Sequence, residues 1–573
     1  MYFIMGKLNS KLLTFVLVNT ILGSSLFYLP SLGVKEMGWY SVFVWPALFL
    51  LGALLVPRYA GLIQRFPTTG GTYDYTRRAF GQLAGFLGGW SLWLAGNLGM
   101  ALNLVAAAEY FIPSAGSITL GLRIVFVLFW LLVLNWFAYR GIDAGMTMLA
   151  TFSAISIVVV LLMIIPSTSI MDVGLLDAPV FMLPNILITI LFLSEAFFGF
   201  ELLTFLGPDI KRLDKVPKMM YTAMLGAGAL VTTYVLSSLL VVPFSDYTTN
   251  ARPWALQAML TMGQTGETVV TFGMYLVILG VAAAWPITSS RLIQKMAKDG
   301  LFPAYFQKLH PVHNSPYRAV MFQAIVIALF SAVIFRGYLV NWTDPYKTVY
   351  LMYVLLGLIV ITLTLLASSK LLKRSYIFPL TFASVVITVI TVWVLYDVTA
   401  LSIILLTASI FAMGIPVYLM VEAYRPGKHS HTMRKLEGLL PSMSLTSHIA
   451  HVPVNRHTLC INCHFPYAKV VDSASGHKNG TLPEGKYTQL IAVNQLEHVR
   501  DLAGYAHNVS MMVSGRLIFV DYASFFGIIP NMSKHKVSMF THELRKNKWH
   551  VKTEVKRQWF WKVRIILCQR EAR

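Results

Sequence analysis

The chain has 573 residues, of which 56% are hydrophobic and only 12% are charged. Soluble globular chains carry roughly 25% charged residues and about 45–50% apolar ones, so a soluble multidomain enzyme is excluded for most of this sequence. The charge is uneven: residues 1–421 hold 24 Lys/Arg and 15 Asp/Glu, whereas residues 422–573 hold 22 and 10. Three cysteines are too few for a disulfide scaffold, and the composition indicates a polytopic membrane protein with a basic tail.

Twelve stretches of the chain are apolar and close to the length of about 20 residues that a membrane-spanning helix needs. Turn-forming or charged residues separate them. The stretches are 11–32, 38–57, 82–112, 119–139, 147–166, 182–207, 217–243, 266–290, 318–336, 347–368, 375–396 and 399–421. The first is too long for a cleavable signal peptide and has no small-residue cleavage site before the next, so we expect it to direct insertion itself.

The Lys and Arg residues between these stretches are unevenly divided between the two sides of the membrane. With the N-terminus inside, 19 lie on the inner side and 5 on the outer side. Because cytoplasmic loops carry an excess of Lys and Arg, the sequence predicts a multi-pass protein of the cell (plasma) membrane with both termini in the cytoplasm. Arg291 and Lys295, near the inner end of the eighth stretch, are expected to be snorkelling anchors.

Two of the stretches contain residues that a plain spanning helix avoids. The first carries Gly-Ser-Ser at 23–25, and the sixth carries Gly199 between Glu195 and Glu201. A glycine that lets two helices pack closely explains either feature alone. Unwound backbone at this depth also offers N–H groups to an anion and carbonyls to a cation. Since the two features lie at matching places in two five-helix halves, we predict a 5+5 inverted repeat with broken helices 1 and 6, followed by two extra helices.

Four motifs occur in order along the membrane part of the chain. Residues 23–27 read Gly-Ser-Ser-Leu-Phe, residues 67–75 read Pro-Thr-Thr-Gly-Gly-Thr-Tyr-Asp-Tyr, residues 198–201 read Phe-Gly-Phe-Glu, and residues 299–303 read Asp-Gly-Leu-Phe-Pro. At these positions the sequence resembles the amino acid–polyamine–organocation (APC) transporters, the amino acid permeases, over about residues 8–421. The resemblance implies secondary transport by alternating access.

The resemblance also implies a substrate site at the two helix breaks. The substrate carboxylate would meet N–H groups of the first break, its ammonium would meet nearby carbonyls, and the side chain would face Glu195, Asn97 and Trp285, which match pocket positions of the similar arginine–agmatine exchangers. A carboxylate and a Trp face favour a cationic side chain, whereas interhelical packing and an ion pair elsewhere are the structural alternatives. The predicted substrate-binding residues are Ile21, Gly23, Ser24, Ser25, Asn97, Glu195, Ala196, Phe197, Phe198, Gly199 and Trp285.

The carboxylates are the candidates for proton coupling. A charge at mid-membrane costs roughly 2.5–3.5 kcal/mol on insertion scales and usually marks function, which points to Glu195 and Glu201. For Glu201, a brace for the broken helix and a structural hydrogen bond are the alternatives. Some proton-coupled family members have a lysine in helix five, where this chain has Ser156, so that switch is expected to be absent. Ser156, Thr288 and Ser289 are the oxygens available for sodium coupling, the less favoured mode.

Beyond the transmembrane domain (1–421), we expect a polar linker (422–455) and a small cytoplasmic α/β or α+β accessory domain (456–573). A helix is predicted over 495–509, and strands are predicted at 490–493, 515–520, 536–541, 549–555 and 561–567.

One cluster in the tail has metal-ligand spacing: His457, Cys460, Cys463 and His464. Structural zinc usually needs a second well-spaced pair, which is absent from the sequence, so these are weak candidates beside a redox pair or two reduced cysteines. We therefore predict no metal and no cofactor.

Together these features predict a secondary active transporter of amino acids, with cationic amino acids or polyamines as the narrower class, working by proton coupling or exchange. The alternative is a nutrient sensor whose transporter-like membrane domain signals through the tail. A membrane-tethered enzyme is the weakest reading, because the sequence has no nucleotide-binding loop, nucleophile elbow or second metal pair. The expected partners are the small-molecule substrate, the lipid bilayer and, for the basic tail, anionic inner-leaflet lipids. No nucleic acid is expected, because no recognised reading motif is present.

Overall fold

The computed structural model describes most of the membrane part of the chain and separate segments of the tail. The described residues are 8–22, 29–112, 117–176, 183–249, 252–339, 344–423, 458–461, 469–471, 486–493, 496, 501–525, 529–530, 534–558 and 561–570.

Residues up to 423 are helical wherever they form regular structure. The helices are α1 (Ser10–Leu22), α2 (Leu29–Met37), α3 (Val44–Arg65), α4 (Thr72–Phe80), α5 (Gln82–Phe111), α6 (Ser117–Tyr139), α7 (Ile142–Ser167), α8 (Leu183–Leu193), α9 (Leu202–Leu206), α10 (Val216–Leu239), α11 (Phe244–Thr249), α12 (Pro253–Ala282), α13 (Trp285–Lys298), α14 (Tyr317–Leu339), α15 (Pro345–Leu371), α16 (Ile377–Tyr396), α17 (Ala400–Ala412) and α18 (Gly414–Ala423).

Among the described residues, 10 helical segments are long and apolar enough to cross a membrane. This establishes a mostly helical, multi-pass membrane protein. Two shorter apolar helices, Ser10–Leu22 and Leu183–Ala196, lie where the first and sixth spans were predicted. The count of twelve and the inverted repeat stay predictions.

The membrane helices are packed around α5. This helix contacts α4, α12, α14 and α15 and is buried along nearly all of its length, which explains why it is apolar and rich in Gly and Ala on every face. The helix α1 packs on α7 and α10, and α3 packs on α10. Small residues on α5 let these neighbours approach closely, in place of the hydrophobic effect that is missing between helices in lipid.

The chain divides into two compact units, Met1–Ile415 and Pro416–Arg573. The predicted linker falls almost wholly in 424–457, outside the described residues. The boundaries 421 and 455 therefore remain predictions.

The tail unit contains a mixed sheet with strand order β2-β1-β3-β4-β7-β6, and β5 pairs with β4. The pairs β1–β2, β1–β3 and β3–β4 are parallel, whereas β4–β7 and β6–β7 are antiparallel. The strands are β1 (Thr458–Ile461), β2 (Lys469–Val471), β3 (Tyr487–Val493), β4 (Val513–Phe525), β5 (Ile529–Pro530), β6 (Trp549–Gln558) and β7 (Trp561–Arg570). Helices α19 (Leu502–Met512) and α20 (Lys534–Lys546) complete a core with this sheet.

Two predictions for the tail are corrected. The expected strand at 536–541 is wrong, because these residues lie in α20. Phe540 and Leu544 are buried in the tail core and Val537 packs against it, so the apolar positions recur at the three- and four-residue spacing of a helix face. The helix expected over 495–509 begins only at Leu502, where the Asp501 side chain accepts a hydrogen bond from the Gly504 N–H and caps it.

Candidate functional site

The sixth predicted span is interrupted in the middle. Helix α8 ends at Leu193, Ser194–Phe197 form a single 3-10 turn, and α9 begins at Leu202. Phe198 is extended and Gly199 has a φ of 99°, in the region that only glycine adopts without strain. The interruption therefore runs from Ser194 to Glu201 and contains both glutamates that the sequence singled out.

Gly199 lies directly against the backbone of α1. A Cβ on this residue would come within 2.3 Å of the Thr20 carbonyl oxygen. Both its dihedral angle and this contact require glycine, and together they bring the break of the sixth span next to the end of the first. The candidate site therefore lies where Gly199 of the sixth span contacts α1.

The polar backbone groups freed by the break have protein partners. The Tyr350 hydroxyl of α15 donates to the Phe192 carbonyl at 2.5 Å, and the Gly199 N–H donates to a Glu201 carboxylate oxygen at 2.8 Å. The Thr20 hydroxyl lies 3.4 Å from the Gly199 carbonyl. Such groups must be satisfied internally in a membrane, and Glu201 supplies one of the partners.

A cavity opens beside the break, among α1, α3, α5, α12, α13 and α15. Its wall contains polar groups from several helices, aromatic rings, and small or aliphatic side chains. Its polar and aromatic lining residues include Thr20, Tyr59, Asn103, Glu195, Phe198, Glu201, Trp285, Thr288 and Tyr353, and Ile21 and Gly199 also line it.

Glu195 is the buried carboxylate of this cavity, with only 5% of its surface exposed. The Tyr353 hydroxyl of α15 donates a hydrogen bond to it. The Tyr353 ring in turn meets the Phe198 ring edge-on, with centroids 5.8 Å apart. The Glu195 carboxyl group thus faces a cavity whose other walls combine small and aliphatic side chains with aromatic rings and a few polar groups.

Trp285 lies flat against α5 at Gly96. A Cβ on Gly96 would come within 2.2 Å of the indole, and the indole N–H donates to the Asn97 side-chain oxygen at 2.9 Å. Trp285 lines the cavity, whereas Asn97 is fully buried and is not among the lining residues. Asn97 is thus hydrogen-bonded to a residue of the cavity wall, and its own contact with the substrate stays a prediction.

The remaining predicted binding residues divide into three groups. Ile21, Phe198 and Gly199 line the cavity, whereas Ala196 is buried away from it. For Phe197 only the backbone, in the 3-10 turn, is described. Outside the described residues lie Gly23, Ser24 and Ser25, so the carboxylate-binding part of the site stays a prediction.

The candidate sodium oxygens have protein partners, with one exception. The Ser156 hydroxyl donates to the Asn19 side-chain oxygen at 2.6 Å, and the Thr288 hydroxyl lies 3.1 Å from the Trp285 carbonyl. Ser289 is buried, and its hydroxyl has no hydrogen-bond partner among the described residues. Of the three, only Thr288 lines the cavity.

Sequence reasoning missed Tyr353 and Asn19. Tyr350 and Tyr353 are three residues apart in an otherwise apolar span, which places two hydroxyls on one helix face. Asn19 is buried in α1 and donates to the Gly280 carbonyl at 3.2 Å, so it joins α1 to α7 and α12. The sequence could have indicated both residues, because each is a polar side chain within an apolar span.

A network of charges joins α4 to α13 at one end of the bundle. Asp299 lies 3.0 Å from Lys295 and 3.2 Å from Arg77, and it accepts a hydrogen bond from the Tyr73 hydroxyl at 2.9 Å. Arg291 pairs with Asp209 at 2.5 Å. Arg291 and Lys295 therefore have acidic partners, and their role as snorkelling anchors stays a prediction.

Asp74 is the buried acid of this network. Its carboxylate lies 2.9 Å from Arg77 and 2.9 Å from Arg78. Burial alone would raise the pKa of Asp74, but the hydrogen bonds from the two arginines and the charge of Lys295 outweigh it and hold this pKa below its usual value. The motif at 67–75 thus contributes a buried aspartate, Asp74, that is paired with two arginines.

The weak metal candidates cannot be placed together. His457, Cys463 and His464 lie outside the described residues, and for Cys460 only the backbone, in β1, is described. Where the structure describes the chain, no group of three or more metal-ligating side chains is present.

Apolar helices long enough to cross a membrane, packed around a cavity at a broken helix, define a multi-pass membrane protein. The family model described as Amino acid permease matches residues 8–421. The chain belongs to this family, as the four sequence motifs predicted.

Three relatives show how far the similarity reaches. Arginine/ornithine antiporter ArcD2 of Lactococcus lactis subsp. cremoris (strain MG1363) is 26% identical over 48% of this chain and 62% of its own length. Arginine/ornithine antiporter ArcD1 of the same strain is 22% identical over 48% of this chain and 58% of its own length. Uncharacterized amino acid permease YecA of Bacillus subtilis (strain 168) is 25% identical over 55% of this chain and 74% of its own length. The chain spans about six tenths of the two antiporters, and these names denote transporters, not enzymes.

Proposed function

We propose that this protein is a secondary transporter that moves cationic amino acids across the cell membrane by alternating access. The observation that carries the proposal is the buried Glu195 carboxylate, which lines the cavity beside the break together with the aromatic rings of Trp285 and Tyr353. The names of the relatives, two of which are arginine/ornithine antiporters, support this substrate class. Polyamines, which are also cationic, are the second class.

In this proposal each part of the cavity has one task. The substrate carboxylate binds backbone N–H groups around 23–25, and its ammonium binds carbonyls near Ile21 and Ala196. The cationic side chain lies between the Glu195 carboxylate and the Trp285 face, since a carboxylate and an aromatic ring both attract a cation. Tyr353 holds Glu195, and Asn97 holds Trp285.

The cycle requires the two breaks to move relative to one another. Glu201 is assigned as the brace of the sixth span, because its carboxylate already accepts the Gly199 N–H. Glu195 is then the proton-coupling candidate when the mode is symport, and a fixed counter-charge when the mode is exchange. Both termini are proposed to be cytoplasmic, with the basic tail near anionic inner-leaflet lipids.

Reconstitution of the full chain into proteoliposomes tests the proposal. We expect uptake of labelled arginine that accelerates when the vesicles are loaded with ornithine, and a small response to an imposed pH gradient. In Glu195→Gln, arginine flux should fall by about tenfold or more, because a hydrogen bond to a charged group is worth about 1.5–3 kcal/mol. Glu267→Gln, in α12 and outside the cavity lining, is the matched control.

Two outcomes would contradict the proposal in different ways. Flux of neutral amino acids that is unaffected by Glu195→Gln would remove the cationic substrate class and leave a general permease. Binding of substrates without flux of any of them would favour the sensor, in which the membrane unit only detects a nutrient.

A further inference from the structure

A second cavity opens on the flank of the bundle and shares no lining residue with the first. It lies among α3, α8, α15 and α16, and its wall is apolar except for Ser194 and Thr381. Six residues of α16 at helical spacing form one side of this flank groove: Phe378, Thr381, Phe382, Val385, Val386 and Val389. One continuous face of α16 thus forms one wall of the groove.

The flank groove faces the hydrocarbon of the membrane. The helices that form its rims expose large apolar side chains, with Leu54 of α3 at 60% and Leu380 of α16 at 56% exposure. From Phe378 to Val389 the rise along α16 is about 16 Å at 1.5 Å per residue, which is about half of a ~30 Å hydrocarbon core. The groove therefore has the length of one leaflet.

Two guanidinium groups lie at the end of the groove where α16 begins. Arg58 donates to the Ser369 hydroxyl at 2.8 Å and to the Ser375 carbonyl at 3.1 Å, and it lies over the Phe378 ring at 5.8 Å from the centroid. Arg374 donates to the Pro57 carbonyl at 3.2 Å. The two side chains are close enough to repel each other electrostatically. Among the described residues neither forms an ion pair with a carboxylate.

We propose that this groove is a binding site for one anionic glycerophospholipid, with an acyl chain along α16 and its phosphate between Arg58 and Arg374. An apolar channel one leaflet long accounts for the chain, and two neighbouring guanidiniums held by neutral partners account for the negative headgroup. In the orientation proposed above, this end of the groove is at the cytoplasmic leaflet, which carries the anionic lipids. The site is independent of the basic tail and of the transported substrate.

Native mass spectrometry of the purified full chain tests the proposal, with dioleoylphosphatidylglycerol and dioleoylphosphatidylcholine as probes. We expect one phosphatidylglycerol to bind at least tenfold more tightly than phosphatidylcholine. The double variant Arg58→Gln/Arg374→Gln should lose this preference, because the loss of each charge should weaken phosphatidylglycerol binding by about fivefold. Arg140→Gln is the matched control, because Arg140 also lies over an aromatic ring, Trp136, at a helix end but does not adjoin the groove.

A second variant tests the apolar part of the site. Val386→Trp fills the groove and keeps both arginines, so we expect weaker binding of both lipids. Inorganic phosphate and deacylated glycerophosphoglycerol should not compete, since they lack the chain. If the double arginine variant does not fold, as judged by its melting temperature, Arg374→Gln alone takes its place. Equal binding of the two lipids, or an unchanged preference in folded arginine variants, would overturn the proposal.

Discussion

Gly199 is the residue on which the geometry of the break depends most. With φ at 99° and the Thr20 carbonyl in the place of a Cβ, alanine at 199 is both strained and overpacked. Residues held in such backbone regions cost of order 1–3 kcal/mol. We therefore expect Gly199→Ala to lower the melting temperature by several degrees and to abolish transport in proteoliposomes.

The matched control for this change is Gly226→Ala in α10. A Cβ at 226 meets nothing within 4 Å and the residue is helical, so alanine should be neutral or slightly stabilising. Equal melting temperatures for the two variants would show that Gly199 is not under the constraint described here.

The pair of Asn97 and Trp285 makes a prediction about coupling. Trp285→Phe keeps an aromatic face but loses the indole N–H that Asn97 accepts, and Asn97→Ala loses the acceptor. Each should raise the KM for arginine by about two- to tenfold, the value of one net hydrogen bond. The double variant should be no worse than the poorer single variant, because both remove the same contact. Fully additive effects on KM would mean that Asn97 acts by another route.

At the scale of elements, the charged network joins α4 to α13. Asp74 is buried between Arg77 and Arg78, and its pKa is held below the usual value. A carboxyl with a depressed folded-state pKa stabilises the fold above its unfolded value of about 3.9 and loses this contribution only as the pH falls through the folded value. Asp74→Asn should therefore lower the melting temperature by the same amount at pH 5 and at pH 8.

Asp214→Asn provides the comparison for Asp74→Asn. Asp214 pairs with Arg212 at 2.9 Å, but both side chains are more than half exposed, and such surface pairs contribute little. Its melting temperature should stay within about a degree of the parent. A loss of stability in Asp74→Asn that disappears by pH 5 would contradict the depressed pKa.

The whole molecule consists of two units with separate cores. The membrane unit ends at Ile415, and the tail has its own apolar core between the sheet, α19 and α20. Because the substrate cavity is lined only by residues before 415, a chain truncated after residue 430 should keep arginine flux within about twofold of the full chain. Folded truncated protein that binds arginine but no longer transports it would assign the tail an essential part.

Much of the molecule was readable from local pattern. Long apolar runs predicted helices, and Gly199 between two glutamates predicted the break. Both predictions were possible because each feature depends on residues that are close together in the chain. The strand expected at 536–541 failed for lack of context: the 537, 540 and 544 positions form a helix face only when the tail core lies on one side of it. Only packing supplies the partner of Arg291, since Asp209 lies 82 residues away in the chain, whereas Lys295 and Asp299 are four residues apart.

The sequence by itself determined the class of protein, its family motifs and which carboxylates are candidates for function. The reason is that charged side chains are costly inside a membrane, so a spanning segment is visible as an apolar run and an acidic residue within it stands out. Tertiary structure decided which of these groups meet. It brought Tyr353 of α15 to Glu195, joined Asn97 of α5 to Trp285 of α13, and set Gly199 against Thr20. These partners lie far apart in the chain, and the direction of a side chain on a buried helix depends on its neighbours, which no local spacing records.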